Sequence, residues 1–306
     1  MNVHTTMTLS QPAHKRRKMG GQIVLNLIFV LISLCYVLPL LLVVTISLTD
    51  KATLSNSGFT LWPTTPSLAS YRAIFTKPDQ ILDAYGVTIF FTVLTTIGAI
   101  LMQSTIAYAL SRRDFALRKP ITFIIFFTTL FGGGMVPSYI LNTSYLHLGN
   151  TIWIYIVPSL VSVWNVIVLR TNFQGIPEGL VEAATIDGAG EWRICFGIVL
   201  PLCLPALASI GFLTFIAKWN EWFTCQLYIK NVKLYSLQFL LQKLLKEAEY
   251  AQQLLEAGMV NAEDVEIPSE SYRFAMAVVA MGPMLFVFPF FQKYFAKGLT
   301  LGAVKG

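Results

Sequence analysis

The stretch TNFQGIPEGLVEAATIDGAGEWRICFGIVLP, Thr171 to Pro201, lies between two long apolar runs, where a purely hydrophobic chain would need only a short turn. Pro177 suits the first turn of a helix, Glu178 complements the positive end of its dipole, and Gly188 suits its C-terminal cap, so GLVEAATID (179–187) predicts a helix of about two and a half turns. Isolated helices shorter than about 12 residues are marginal in water, so this one must dock on something. Leu180, Val181, Ala183, Ala184 and Ile186 give it a mostly small apolar surface suited to a groove. A second amphipathic stretch follows Gly190, with Trp192, Cys195, Phe196 and Val199 at helical spacing, and Pro201 and Pro205 punctuate entry into the next apolar run. Two readings stay open at this point: a surface helix packed under the chain's own spans, or a helix held in a groove of another protein.

Outward from this loop the chain is that of a polytopic membrane protein. Apolar residues are 55% of 306, charged residues 12%, and mean hydropathy is +0.63, a balance that a solvated exterior would rarely tolerate. Apolar runs of about 20 residues, long enough to cross a hydrocarbon core of roughly 30 Å, predict six spans. They cover Ile23–Leu48, Tyr85–Leu110, Pro120–Leu141, Ile152–Leu169, Leu202–Phe223 and Tyr272–Phe295. Gly132, Gly133, Gly134 and Pro137 interrupt the third, and Lys218, Asn220 and Glu221 charge the end of the fifth. Neighbouring helices can recover backbone groups freed by Gly and Pro, so both count as spans.

Six spans put both termini on one side. That side carries thirteen Lys and Arg, crowded against span ends at 15–18, 112–119, 170, 193 and 293–305, against eight diluted over two long loops opposite, with Lys218 inside a span. The positive-inside rule therefore predicts cytoplasmic termini and a cytoplasmic 171–201 loop. The opening HKRRKMGG and its apolar run could be a secretory signal, but twenty-six apolar residues exceed a signal core of roughly 7 to 15, and a retained first span is the better reading.

No chemistry of catalysis stands out. Cys35, Cys195, Cys203 and Cys225 lack paired metal spacing and mostly lie in or beside spans, where Cys is a small apolar filler; His4, His14 and His147 are solitary. There is no nucleophile elbow, zinc-protease motif or phosphate-cradling loop, so any ATP chemistry must come from another chain.

The loop residues then carry a resemblance. Glu182-Ala183-Ala184, three residues, Gly188, nine residues, Ile198, one residue and Leu200-Pro201 match the spacing of the EAA loop of importer-type ABC transporter permeases. GGGMVPSYILNTSYLHLGNTIWIYIVPSL (132–160), the group Trp219 to Trp222 and the ending KYFAKGLTLGAVKG (293–306) are similar to carbohydrate importer permeases, most of all those for uronic-acid-containing or pectin-derived oligosaccharides. The resemblance implies an all-α membrane protein, a type I importer permease with six transmembrane helices and a cytoplasmic coupling helix that enters a cleft on an ATPase. Glu182 would be the charged contact with the ATPase, Ala183 and Ala184 the close-packed surface, and Gly188 the bend between two short helices, with Asp187 counted among the coupling residues. It further implies a second six-span permease, a cytoplasmic ATPase dimer that holds ATP-Mg, and an extracellular sugar-binding protein; this chain would bind lipid, no nucleic acid, and no cofactor of its own.

Polar residues inside the bilayer are expensive and mark a pathway by default. Gln103, Asn165, Trp219, Asn220 and Glu221, with Ser104, are the sugar-path candidates, Trp219 offering a flat face to a pyranose ring; the competing reading of 218–222 is snorkelling charges in an aromatic belt. The glycines at 132–134 either break the third span or permit close helix packing, and packing is the expectation. Region 49–84 should be irregular with one short helix. Region 224–271 holds an amphipathic helix, Leu237 to Leu255 with Gly258 as stop, expected to dock on the chain's own spans, and then an acidic run, Glu263 to Glu270. Residues 1–22 form a basic N-terminus, 23–297 one six-span domain, and 298–306 a tail that is either a flexible basic probe or a frayed end. A self-sufficient secondary transporter would need buried ionisable residues near mid-membrane or an internal repeat, and a membrane enzyme a convergent set of His, Asp, Glu or Ser; neither pattern is evident.

Overall fold

A computed structural model describes residues 19–75, 78–259 and 269–303. The basic run 15–18, the acidic residues Glu263, Asp264 and Glu266, and 304–306 lie outside the described residues. Among those described, there is no strand, only an isolated bridge between Thr49 and Pro66.

The first span is α1 (Met19–Ser47), apolar on all sides and exposed along 21–41. A helix of that composition, bare over most of its length, is a solute for lipid. Two short helices follow, α2 (Lys51–Ser57), capped by Asp50, and α3 (Ala69–Ile74), where one was expected. The second span is α4 (Pro78–Ser111), 34 residues and about 50 Å long, which projects beyond a hydrocarbon core.

The next three spans are bent pairs. α5 (Arg118–Leu130) turns through 116° into α6 (Met135–Ile140), which continues as one π-turn to Tyr145. The turn is made at Gly134, whose φ of +83° and ψ of −178° lie in a region open only to glycine. Within the chain a Cβ added at Gly132 or Gly134 would meet nothing within 4 Å and one at Gly133 only Pro137, so here the glycines break the span and do not pack it against another of the chain's helices, contrary to the expectation. α7 (Trp153–Ile156, with a 3₁₀ turn to Ser159) bends by 45° into α8 (Val163–Gln174). α9 (Glu178–Ile186) leads to α10 (Glu191–Ile194), a π-turn to Val199 and α11 (Leu200–Leu202). This segment meets α12 (Leu204–Trp219) at 82°, between Pro201 and Pro205.

Beyond α12 come α13 (Phe223–Tyr228) and α14 (Leu237–Glu256). Leu237, Leu240, Ala248 and Ala251 bury α14 on its own spans, and Ser236 caps it. The last span, α15 (Glu270–Ala303), stays helical through Gly298 and Gly302, so the expected loose tail is a helix as far as Ala303. Three continuous helices and three bent pairs give up to six spans by length and composition.

The core is the bundle of α4, α8, α12 and α15. Closeness is set by glycine at Gly211, where a Cβ would come within 2.7 Å of Ile100, and the α7–α8 joint is satisfied from outside itself. Gln103 Nε2 donates to the Leu160 carbonyl at 3.0 Å, Lys218 Nζ donates to Ser159 Oγ at 2.7 Å, and Ser162 Oγ caps α8. Side chains of α4 and α12 thus hold the break in the fourth span.

Candidate functional site: the α9 surface and its tether

The chain makes α9 by local rules. Pro177 stands at the N-cap with ψ of 125° and its carbonyl accepts from Leu180 N–H; Glu178 opens the first turn. At the other end Ala189 N–H donates to the Ala184 carbonyl and Gly188 N–H to that of Thr185, with Gly188 at φ of +78°. That is a Schellman motif, and it turns the chain into α10 without a linker.

Docking divides the helix in two. Val181 is 9% exposed and, with Ala184, packs on a cluster that includes Tyr108, Leu169, Phe173 and Ile194. Gly179, Ala183 and Ile186, the last 85% exposed, face away, and Leu180, Glu182 and Asp187 are exposed on the flanks. The apolar residues expected to form one surface therefore form two, and Ala183 and Ala184 sit on different ones. Trp192, also exposed, stacks on Phe196 at 5.8 Å and 15°. Among the described residues, the Glu182 carboxylate has no hydrogen bond or ion pair.

A tether joins this surface to α4, and sequence reasoning missed it. Arg113 Nε lies 2.9 Å from Glu178, and Arg112 lies 3.6 Å from Glu191, which also accepts a hydrogen bond from Tyr108. The acidic first residue of each short helix is thus tied to the end of α4. The exposed Arg113–Glu178 pair is worth little, whereas the half-buried Tyr108–Arg112–Glu191 group is the firmer link. The signal was an Arg-Arg pair at a span end and a Glu at the start of each short helix. A cavity of about 330 Å³ lined by Tyr108, Arg112, Glu178 and Val181 lies behind the joint.

The sugar-path candidates do not gather with α9. Gln103 is 1% exposed and gives its amide N–H to Leu160, while its buried Oε1 finds no partner among the described residues; Ser104 Oγ is satisfied by the Ile100 and Leu101 carbonyls; Asn165 is buried in the first turn of α8. Trp219 is 3% exposed, stacked on Phe215 with its indole N–H on the Ala280 carbonyl at 3.1 Å, so it offers no face to a sugar in this structure. Glu221 pairs with Lys218 at 3.3 Å and accepts from Thr224 N–H at 3.0 Å. These charges are internally satisfied, and neither snorkels. Asn220 alone of the group is exposed. Cys225 is fully buried and burial pushes its thiol up, leaving it a neutral filler.

The geometry is that of a membrane bundle with a docked, outward-facing helix at one end, and residues 103–301 match the family described as "Binding-protein-dependent transport system inner membrane component". The chain belongs to that family. It is 38% identical over 275 residues to the polygalacturonan/rhamnogalacturonan transport system permease protein YtcP of Bacillus subtilis, covering 90% of this chain and 94% of that one. The arabinooligosaccharides transport system permease protein AraQ of Halalkalibacterium halodurans is 30% identical over 282 residues, 91% of this chain and 94% of its own. A solved bacterial ABC transporter involved in the import of the acidic polysaccharide alginate superposes with a TM-score of 0.77 at 27% identity, covering 93% of this chain and all of that one. Family membership makes this chain a multi-pass membrane component of a binding-protein-dependent transport system.

Proposed function

We propose that this chain is one of two six-span permease subunits of an ATP-driven importer of oligosaccharides, with uronic-acid-containing ones the favoured class. The relatives named for pectin-type polymers and for alginate support that class. On this reading the α9 end is cytoplasmic, both termini lie on that side, and an ATPase dimer holding ATP-Mg receives the face of Gly179, Ala183 and Ile186 in a cleft, with Glu182 as the flanking charge. A sugar-binding protein delivers at the α14 end. Closure of the ATPase shifts the inward and outward states only as far as it binds α9 unequally in the two. The pull passes through Glu191 and Glu178 to Arg112 and Arg113, then along α4 to Gln103 and the α7–α8 joint. We keep Asn165 and Asn220 as pathway residues and assign Gln103, Trp219 and Glu221 to holding the helices.

The observation that carries the proposal is α9 itself: anchored by Val181 and bare on the opposite face, in a chain of this family. The test is to tag the chain in its native cell, extract it gently and identify the co-purifying proteins by mass spectrometry. Recovery of one ATPase and one other six-span protein supports it. A chain that comes out alone and still moves solute in ATP-free vesicles overturns it in favour of a secondary transporter.

A further inference from the structure

The cations at the α9 end fall into two sets. Arg112 and Arg113 are matched by Asp114, Glu191 and Glu178. Arg118, Lys119 and Arg170 are not: among the described residues none is ion-paired to a carboxylate. All three, with Arg113, line one cavity of about 740 Å³ between the start of α5 and the end of α8, and no acidic residue lines it. Arg170 Nη1 reaches Thr122 Oγ1 at only 3.4 Å, and its Nε is buried with no acceptor. Like charges gathered round a common void repel, and a buried guanidinium N–H without an acceptor carries a desolvation cost. The arrangement calls for an anion. Apart from Thr122 the rest of the wall is apolar, Phe115, Ala116, Phe123 and Phe126, the last two exposed on α5, a helix with no buried side chain.

We propose that this cavity holds the phosphodiester headgroup of an anionic glycerophospholipid, with Arg118, Lys119 and Arg170 on the phosphate and Phe123 and Phe126 along the acyl chain. A free phosphate would satisfy the cations but leave the phenylalanines bare; a lipid satisfies both. Basic pockets between spans at headgroup level suit such lipids. The proposal uses the membrane placement of α5 and is independent of the ATPase docking on α9.

The assembled importer, reconstituted with phosphatidylcholine and a minority of phosphatidylglycerol and then returned to detergent, should retain phosphatidylglycerol in native mass spectra. Lys119→Gln, at an exposed rim position, should weaken retention roughly fivefold, and Arg118→Gln with Arg170→Gln about thirtyfold, while the Arg→Lys pair stays within about fivefold of wild type. Excess inorganic phosphate should leave retention unchanged. Equal retention in Lys119→Gln and in the double variant overturns the proposal. So does displacement of the lipid by inorganic phosphate, which marks a small-anion site, or a photo-crosslink from position 123 that joins the second permease and excludes lipid, which marks a subunit interface.

Discussion

The two ends of this molecule use the same residue types for opposite ends. At one, Glu182 and Trp192 stand exposed, Glu182 with no partner in the chain among the described residues. At the other, Lys218, Trp219 and Glu221 are drawn in, with Ser159, Ala280 and Thr224 completing every polar contact named. Exposed groups that contribute nothing to their own fold are free to serve a partner. Groups whose removal would orphan a buried atom belong to the scaffold. Glu182→Lys should therefore leave the chain inserted and folded while weakening the ATPase by about 4 kcal/mol, roughly a thousandfold, since a reversed charge in a desolvated contact meets its own sign. Transport by reconstituted complex and ATPase recovery on a tagged chain are the two readouts. Normal values for both remove Glu182 from the coupling and erase the contrast.

The far end should behave in the reverse way. Lys218 and Glu221 keep 12% and 18% of their side-chain surface, so each is close to a buried charge. Lys218→Met leaves the Glu221 carboxylate with only Thr224 N–H, and should cost about 3 kcal/mol in thermal stability; adding Glu221→Gln should recover at least half. A single-variant cost below about 1 kcal/mol would class the pair with ordinary exposed ion pairs and return Glu221 to the list of groups facing an aqueous path.

What was legible in the sequence was local. Pro177 and Gly188 fix the limits of α9 because a cap needs only its own neighbours, and the 3.6-residue spacing of leucines located α14 to within a residue or two. What was hidden depends on distant partners. The kink at Leu160 is held by Gln103, 57 positions away, and the docking of α10 by Tyr108, 83 positions away. Trp219 read as an interfacial or sugar-facing ring because its true partner, the Ala280 carbonyl, is supplied by α15. The division of α9 into two faces likewise required knowing which side met Phe173 and Ile194. A hydropathy pattern reports how much of a helix is apolar and is silent on which neighbour takes it.

The glycines at 132–134 allow the smallest test, and it separates two causes that look alike in sequence. If they serve close packing, a methyl group at Gly132 should cost as much as one at Gly134, because both would be pushed into a neighbour. In the structure neither has a neighbour to meet, and only Gly134 has a positive φ. Gly134→Ala should then cost about 2 kcal/mol from backbone strain, whereas Gly132→Ala should stay within about 0.5 kcal/mol of wild type. Thermal unfolding of the two variants, each assembled with its partner subunit, reads the difference directly. Equal costs would mean that a neighbour fills the space beside Gly132 in the assembled importer. The 116° break would then be secured by packing from outside the chain, not by the conformational freedom of a single glycine.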